Sequence, residues 1–387
     1  MARELAFVMI NPHTLAKSRT GGVIARYLAR TDLSLVAARM VNPPQELVDR
    51  YAKEIRETQD GDVRVNQLIG EYIAREYAPN PTNGKLRRVM VLLFEGENAI
   101  EKIWQVTGSA TLRPGEGQTV RETYGEYIED VDGSVKYFEP AVLVGPTPDR
   151  TKRTLCLWNE YMGEYGGIVE SSSAYPEGNL QRTLVLLKPD NFRRPSLRAG
   201  SIIDLLSTTS LRIIGTKKFK MTVAQAEEFY GPVVESLSSK FEAIGAKRAA
   251  TVLSNEFGFQ IGESDTAPLC RQLGERFASE QFESIVEFMT GFRPSDVAEV
   301  DKPKAAGVEC LALVYQGVDA IAKIRDILGS TDPSKARDGS VRREFGSNIM
   351  VNSAHASDSP ENAERELKII KVEENTTEPW IKQYCAC

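Results

Sequence analysis

The feature that most constrains this chain is that it repeats itself. Residues Ala99 to Gly125, AIEKIWQVTGSATLRPGEGQTVRETYG, stand in ungapped register with Ala320 to Gly346, AIAKIRDILGSTDPSKARDGSVRREFG. The shared Ala-Ile-x-Lys-Ile, Gly-Ser and Val-Arg-x-x-aromatic-Gly exceed chance, and such a repeat dictates architecture before any local reading does. The starts of the copies also match, an apolar run leading into Asn11-Pro12-His13 in one and into Lys188-Pro189-Asp190 in the other. Two related domains are therefore expected, and 387 residues leave room for both at roughly 150 residues each. The first spans 1–164 and the second 182–372, with a tail at 373–387. Between them, 165–181 (YGGIVESSSAYPEGNLQ) is rich in Gly, Ser and Pro, the composition of a linker.

Composition narrows the class. Hydrophobic residues at 41% and charged residues at 26% exclude a disordered or fibrous chain. A net charge of -6 with both signs interspersed excludes the broad basic face that duplex nucleic acid demands, so phosphate binding must be local. No apolar stretch reaches the length of a membrane span, and the N-terminus lacks a secretory core. Cys156, Cys270 and Cys310 sit in apolar surroundings and read as reduced core thiols of a cytoplasmic protein. Cys385 and Cys387 close the chain as Cys-Ala-Cys, read as exposed thiols on a disordered tail in preference to a lipidated end.

In the second copy, Leu184 to Leu187 suits a buried strand, Leu197 to Leu206 has helical spacing, and Ser210 to Met221 alternates as a strand does. Thr222 predicts an N-cap for a helix over Val223 to Tyr230, and Ser359 another. Glu309 to Tyr315 is strand-like and Asp319 to Leu328 helical. Short alternating units imply a ferredoxin-like α+β domain, though pattern alone does not separate it from α/β.

Only two histidines are present, His13 and His355. His355 lies in Asn352-Ser353-Ala354-His355-Ala356-Ser357-Asp358-Ser359, where small neighbours let a polyanion approach the ring. An imidazole can attack phosphorus and hold the phosphoryl group, which splits one transfer into two. Glu366, about three helical turns on, and Ser357 are candidates to orient the ring. Lys188, Arg325 and Arg342 are candidates to neutralise phosphate charge.

Lys188-Pro189-Asp190, then Gly-Ser-Thr331-Asp332-Pro333, then Ser340-Val341-Arg342-x-x-Phe345-Gly346, then Asn352-x-x-His355-Ala-Ser-Asp358-Ser resembles the ordered motif set of the nucleoside diphosphate kinase family. The likeness runs from about Arg182 to Ile370 with interruptions. It implies two tandem ferredoxin-like (βαββαβ) domains, a phosphorylated His355 supported by Glu366 and Ser357, and ping-pong transfer of a terminal phosphate between nucleoside triphosphates and diphosphates. It further implies that Lys188, Arg325, Thr331, Arg342 and Asn352 contact phosphates and ribose, that Tyr230 lies beside the nucleophile, and that Phe282 stacks on the base. Magnesium would arrive on the nucleotide phosphates, as suits a hard cation.

The sequence departs from the family in places. A helical insertion at about 231–281 separates Tyr230 from Phe282, a second, charged insertion covers Phe292 to Ala306, and Val351 stands where the family has Arg. The first copy departs further: Asn11 replaces Lys188, Trp104 replaces Arg325, Ala110 replaces Thr331, and aligning Pro148 with Pro360 puts Leu143 at His355 and Thr154 at Glu366. His13 falls at Asp190, and only Arg121 survives, opposite Arg342. The first domain is therefore expected to have lost chemistry and to replace one subunit of the family's dimer as an intramolecular pseudo-dimer, with any further homo-oligomer built from fewer chains than the hexamers and tetramers the resemblance implies. The competing expectation is a nucleotide-binding or scaffolding protein with little turnover.

Overall fold

Arg3–Ile10 opens the first half as a strand with both faces buried, Ala6, Val8 and Ile10 entering one apolar cluster and Leu5, Phe7 and Met9 another. The computed structural model describes residues 3–111 and 117–387, so residues 112–116 of the first repeat lie outside the described residues. The first half contributes β1 (Arg3–Ile10), β2 (Ser34–Val41), β3 (Val89–Glu97), a small hairpin of β4 (Glu126–Glu129) and β5 (Val135–Glu139), and β6 (Val142–Val144). The second contributes β7 (Leu180–Leu187), β8 (Arg212–Lys220), β9 (Glu309–Val318) and β10 (Ala354–Ala356). The main sheet runs β10-β7-β9-β8-β2-β3-β1-β6. Within each half the strands lie in the same relative order, and β1 and β7 each pair antiparallel with two neighbours. That is the ferredoxin-like α+β arrangement, present twice.

The helices follow the same duplication. The first half carries α1 (Pro12–Ala16), α2 (Thr20–Arg30), α3 (Gln45–Glu57), α4 (Val63–Glu76), α5 (Ala99–Thr107), α6 (Val120–Tyr124) and α7 (Pro148–Tyr165). In the second, α8 (Arg198–Ser207) corresponds to α2. Three further helices, α9 (Val223–Tyr230), α10 (Val233–Phe257) and α11 (Glu263–Thr290), interrupt it before α12 (Ala320–Leu328), α13 (Val341–Phe345), α14 (Pro360–Ile370) and α15 (Glu378–Cys385). Thr222 and Gln225 form a reciprocal capping box that starts α9. Residues 220–309 make a compact unit of their own. Within it α10 and α11 form an antiparallel hairpin in which Phe241 stacks on Phe277 at 4.1 Å and the small residues Ala246, Ala250, Cys270, Gly274 and Ala278 are used at close approach.

The two halves join along β2 and β8, where Arg39 pairs with Lys217. Two buried cations side by side require acceptors. Arg39 donates to the carbonyls of Met162, Glu373 and Glu374 at 2.9–3.1 Å, and Lys217 to those of Ile370 and Lys371 and to the Glu374 carboxylate. These acceptors cluster at the C-terminal ends of α7 and α14, where unpaired carbonyls and the helix dipole favour positive charge. On the adjoining face α2 crosses α8 through Gly21 and Gly200. A Cβ on either would strike the opposing backbone, so glycine sets the approach. Apolar residues of both halves share one core cluster.

Two expectations are corrected here. Residues 373–387 are no disordered tail: α15 lays Ile381 and Cys385 into the apolar cluster of the first half, and the Tyr384 hydroxyl donates to Glu95 at 2.7 Å. Nor is Cys156 a reduced core thiol or Cys387 a free one. They form a disulfide with Cα atoms 5.7 Å apart, and Cys385 is buried. The physical reason is that Trp380, Ile381 and Tyr384 lie within one helical turn, an apolar face that β1 and α7 accommodate. Among the described residues no helix is long and apolar enough to cross a membrane.

Candidate active site

β7 is buried along Thr183 to Leu187 and delivers Lys188 at its end, where the chain enters a short turn at Pro189–Asn191. Beside it β10 pairs His355 with Leu186. Alternation then decides direction: Ala354 and Ala356 pack into the core, and the His355 ring projects from the opposite face, 24% exposed. The turn into β10 is held by Ser353, whose backbone is left-handed (φ 69°) and whose carbonyl accepts from the Lys188 N–H at 2.9 Å and from Asn191 Nδ2 at 2.7 Å.

α14 supplies the partner. Ser359 caps it, accepting from the Asn362 N–H at 3.1 Å, with Pro360 at its first position. Glu366 lies on its buried face, 5% exposed, with both carboxylate oxygens 3.0 Å from His355 Nε2. The Ser357 hydroxyl donates to the same carboxylate at 2.6 Å, and Arg365 approaches it at 3.7 Å. A carboxylate on Nε2 favours the tautomer with the proton there and the lone pair on Nδ1.

Lys188 Nζ donates to Asn352 Oδ1 at 2.7 Å, and Asn352 Nδ2 donates to the carbonyls of Thr331 and Ile349 at 3.1 and 2.9 Å. Asn352 thus ties the lysine to the loop carrying Thr331. Burial, and then the neighbouring charge of Arg342, pushes the Lys188 ammonium down to about 8. Arg342 donates to the carbonyls of Gly329 and Ala354 at 2.9 and 3.1 Å, and burial, then Arg325, pushes it down to about 10. Arg325 and Thr331 are exposed. The structure therefore groups Lys188, Arg342, Asn352, His355, Ser357 and Glu366 around one end of β7, with Arg325 and Thr331 at its margin. Tyr230 and Phe282 belong to the helical unit 220–309. Within it Tyr230 is buried against Phe229, ring centroids 4.9 Å apart, and Phe282 is half-buried on α11.

One contributor went unread in the sequence. Arg198 donates through Nη2 to Asp190, to the Phe345 carbonyl and to Ser353 Oγ at 2.7–3.1 Å, pinning the left-handed turn two residues before His355. Its only sequence signal is a charge at the start of an otherwise apolar helix. Burial raises the Asp190 carboxyl despite Arg198 and Lys188.

The first half has the same backbone with other contents. Leu143 pairs with Met9 in β6 as His355 pairs with Leu186 in β10, and buried Thr154 stands at Glu366. Asn11, in place of Lys188, donates to Glu139 at 3.1 Å and accepts from Tyr77, while Tyr72 donates to the other oxygen of Glu139. Burial raises Glu139, which occupies the position of Val351. Arg121 donates to the carbonyls of Gly108 and Val142, the counterparts of Gly329 and Ala354, and Trp104 lies over its guanidinium at 5.7 Å.

A sequence model of the family named nucleoside diphosphate kinase matches residues 4–133 and 277–375, more than half the chain. Phe282, Arg325, Thr331, Arg342, Asn352, His355, Ser357 and Glu366 fall inside the matched segments; Lys188 and Tyr230 fall outside them. A nucleoside diphosphate kinase of Helicobacter pylori (strain Shi470) is 29% identical over 187 residues, 48% of this chain and 92% of that protein. One of Persephonella marina is 26% identical over 49% of this chain and 91% of its own length. Among solved structures, the Aquifex aeolicus nucleoside diphosphate kinase is 26% identical, covering 51% of this chain and 98% of its own with a TM-score of 0.31. An NDP kinase from Pyrobaculum aerophilum is 24% identical, covering 49% and 94% with a TM-score of 0.35. With a family match over most of its length and the duplicated fold described above, this chain belongs to the nucleoside diphosphate kinase family, a family of phosphotransferases.

Proposed function

We propose that the second half transfers the terminal phosphate of a nucleoside triphosphate to a nucleoside diphosphate in two steps through His355. The observation that carries this reading is the hydrogen-bonded set His355–Glu366–Ser357 set beside Lys188. His355 Nδ1 attacks the γ-phosphorus. The Nδ1–P bond forms as the bond to the bridging oxygen breaks, and the nucleoside diphosphate leaves with that electron pair. Positive charge arising on the ring meets the Glu366 carboxylate at Nε2. A second nucleoside diphosphate then takes the phosphoryl group by the reverse path.

Lys188 and Arg342 serve by charge, since phosphoryl transfer asks the protein chiefly for positioning and electrostatic stabilisation. Arg342 is pre-oriented by two carbonyls and pays little to stay in place. Magnesium bound to the substrate phosphates would supply further neutralisation. Glu366 and Asp190, the site's carboxylates, are committed to His355 and Ser357 and to Arg198, which fits a cation held by phosphate oxygens and water. Arg325, Thr331, Asn352, Tyr230 and Phe282 are proposed contacts to the nucleotide. The first half, with leucine at the nucleophile position, is proposed as a non-catalytic stand-in for a dimer subunit.

The test is incubation with magnesium and a γ-labelled nucleoside triphosphate, followed by a chase with a different nucleoside diphosphate. Acid-labile, base-stable label that moves to the acceptor and is absent in His355→Ala is the expected result. Folded protein that takes no label would leave nucleotide binding or scaffolding as the function.

A further inference from the structure

Ser353 joins the proposed nucleophile to the lysine beside it. Its carbonyl accepts from the Lys188 N–H and from Asn191 Nδ2, and His355 stands two residues further on. The turn is left-handed at a residue that carries a Cβ, a conformation that persists only where its surroundings enforce it. The first half has the same backbone lock: left-handed Ala141 accepts from the Asn11 N–H at 3.2 Å and from the Thr14 hydroxyl at 2.8 Å. The turn therefore forms without any polar side chain at that position.

The second half adds a clamp that the first lacks. Arg198 and Arg19 are counterparts, each two residues before the glycine at which α8 and α2 cross. Each donates to the carbonyl of the corresponding aromatic residue, Phe345 at 2.7 Å and Tyr124 at 2.8 Å. That bond belongs to the fold. Beyond it, Arg198 Nη2 donates to Asp190 Oδ2 and to Ser353 Oγ, both at 3.1 Å, and the Ser353 hydroxyl donates to the same carboxylate oxygen at 3.4 Å. No such set forms around Arg19, because Ala141 has no hydroxyl, His13 stands at Asp190, and the guanidinium faces Glu126 at 3.9 Å instead. Asp190, its side chain 5% exposed, lies two residues after Lys188, and Ser353 two before His355. The clamp thus spans the chain leaving β7 and the chain entering β10.

Resting on the phosphoryl transfer proposed above, we infer that Arg198 is a positioning residue: through Asp190 and Ser353 it fixes the end of β7 against the turn into β10, and so sets where Lys188 stands relative to the His355 ring. It acts through these two residues and not on the nucleotide. Placement is what phosphoryl transfer asks of the protein, and an error of about 1 Å can cost on the order of a hundredfold in rate.

The test measures the first-turnover rate at which a magnesium-bound, γ-labelled nucleoside triphosphate labels His355, with its concentration varied and stability followed in urea. Ser353→Ala is the cleanest variant, because Ala141 holds the same torsion in the first half. Its maximal rate should fall by about tenfold, with the half-saturating concentration within about twofold of the wild type and the urea midpoint unchanged. Arg198→Met should lose more, and Arg198→Lys should recover part of the rate, since the three acceptors converge on one nitrogen that an ammonium can replace. Arg19→Met, which removes the bond common to both halves, should leave the maximal rate unchanged. Ser353→Ala labelled at the wild-type rate, or equal losses in Arg198→Met and Arg19→Met, would overturn the positioning role and leave the transfer itself standing. Folded wild-type protein that takes no label would overturn the transfer, and this inference with it.

Discussion

The two halves share a backbone down to its unusual torsions and differ in what fills it. Asn98 and Asp319 are both left-handed (φ 52° and 54°), as are Ala141 and Ser353 (61° and 69°). Arg121 and Arg342 donate to corresponding carbonyls. The residues proposed to carry the chemistry are those at which the halves diverge: His355 against Leu143, Glu366 against Thr154, Lys188 against Asn11. Features common to both cannot be there for the proposed catalysis alone, because the first half lacks a counterpart of His355. The left-handed turn before β10 and the buried arginine are therefore requirements of the fold, on which the second half mounts the His355 ring.

Breaking the catalytic side of the comparison should have the largest effect. His355→Ala is expected to lower turnover by at least about ten-thousandfold in a coupled exchange assay. The reciprocal Leu143→His should confer no label on the first half, because Thr154 offers no carboxylate. Glu366→Gln keeps the shape and removes the charge facing Nε2, and a fall in kcat of roughly a hundredfold with little change in KM is expected. The arginine pair sharpens the contrast: Arg121→Met and Arg342→Met should each cost about 2–3 kcal/mol in denaturant unfolding, for carbonyls left without donors. Only the second should also reduce kcat. Equal losses of activity would mean that the arginine shared by the two halves acts through folding alone.

The smallest effect is one of pH. Lys188 is held down to about 8, so its charge is lost as pH rises past that value, and kcat/KM should decline there. In Lys188→Arg this limb should be missing, because guanidinium stays protonated. Stability responds with the opposite sign. A lysine with a depressed folded value carries its burial penalty below about 8, and the penalty is relieved as pH climbs from there toward the ordinary lysine range, so this group's contribution to stability rises across that window.

Much of this was legible because it is local. The Thr222 cap, the strand at Glu309, the helix following Ser359 and the displacement of His355 by Leu143 all follow from short-range pattern or from register within the repeat. What escaped is non-local. Nothing near Cys387 indicates Cys156, 231 positions away, and a helix as short as α15 carries too little pattern to announce that it docks. Arg198 escaped for a related reason: its three acceptors come from Asp190, Phe345 and Ser353, which only the tertiary fold assembles.

The closing segment from Lys371 to Cys387 has a consequence for how the protein meets dilution. A dimer of separate subunits falls apart as concentration drops, and whatever stability each subunit draws from the other goes with it. Here the second half is followed by a strap that returns to the first and is bonded to it, while the segment before Leu180 joins the two a second time. The companion is thus present at a fixed local concentration set by two tethers, however little protein there is.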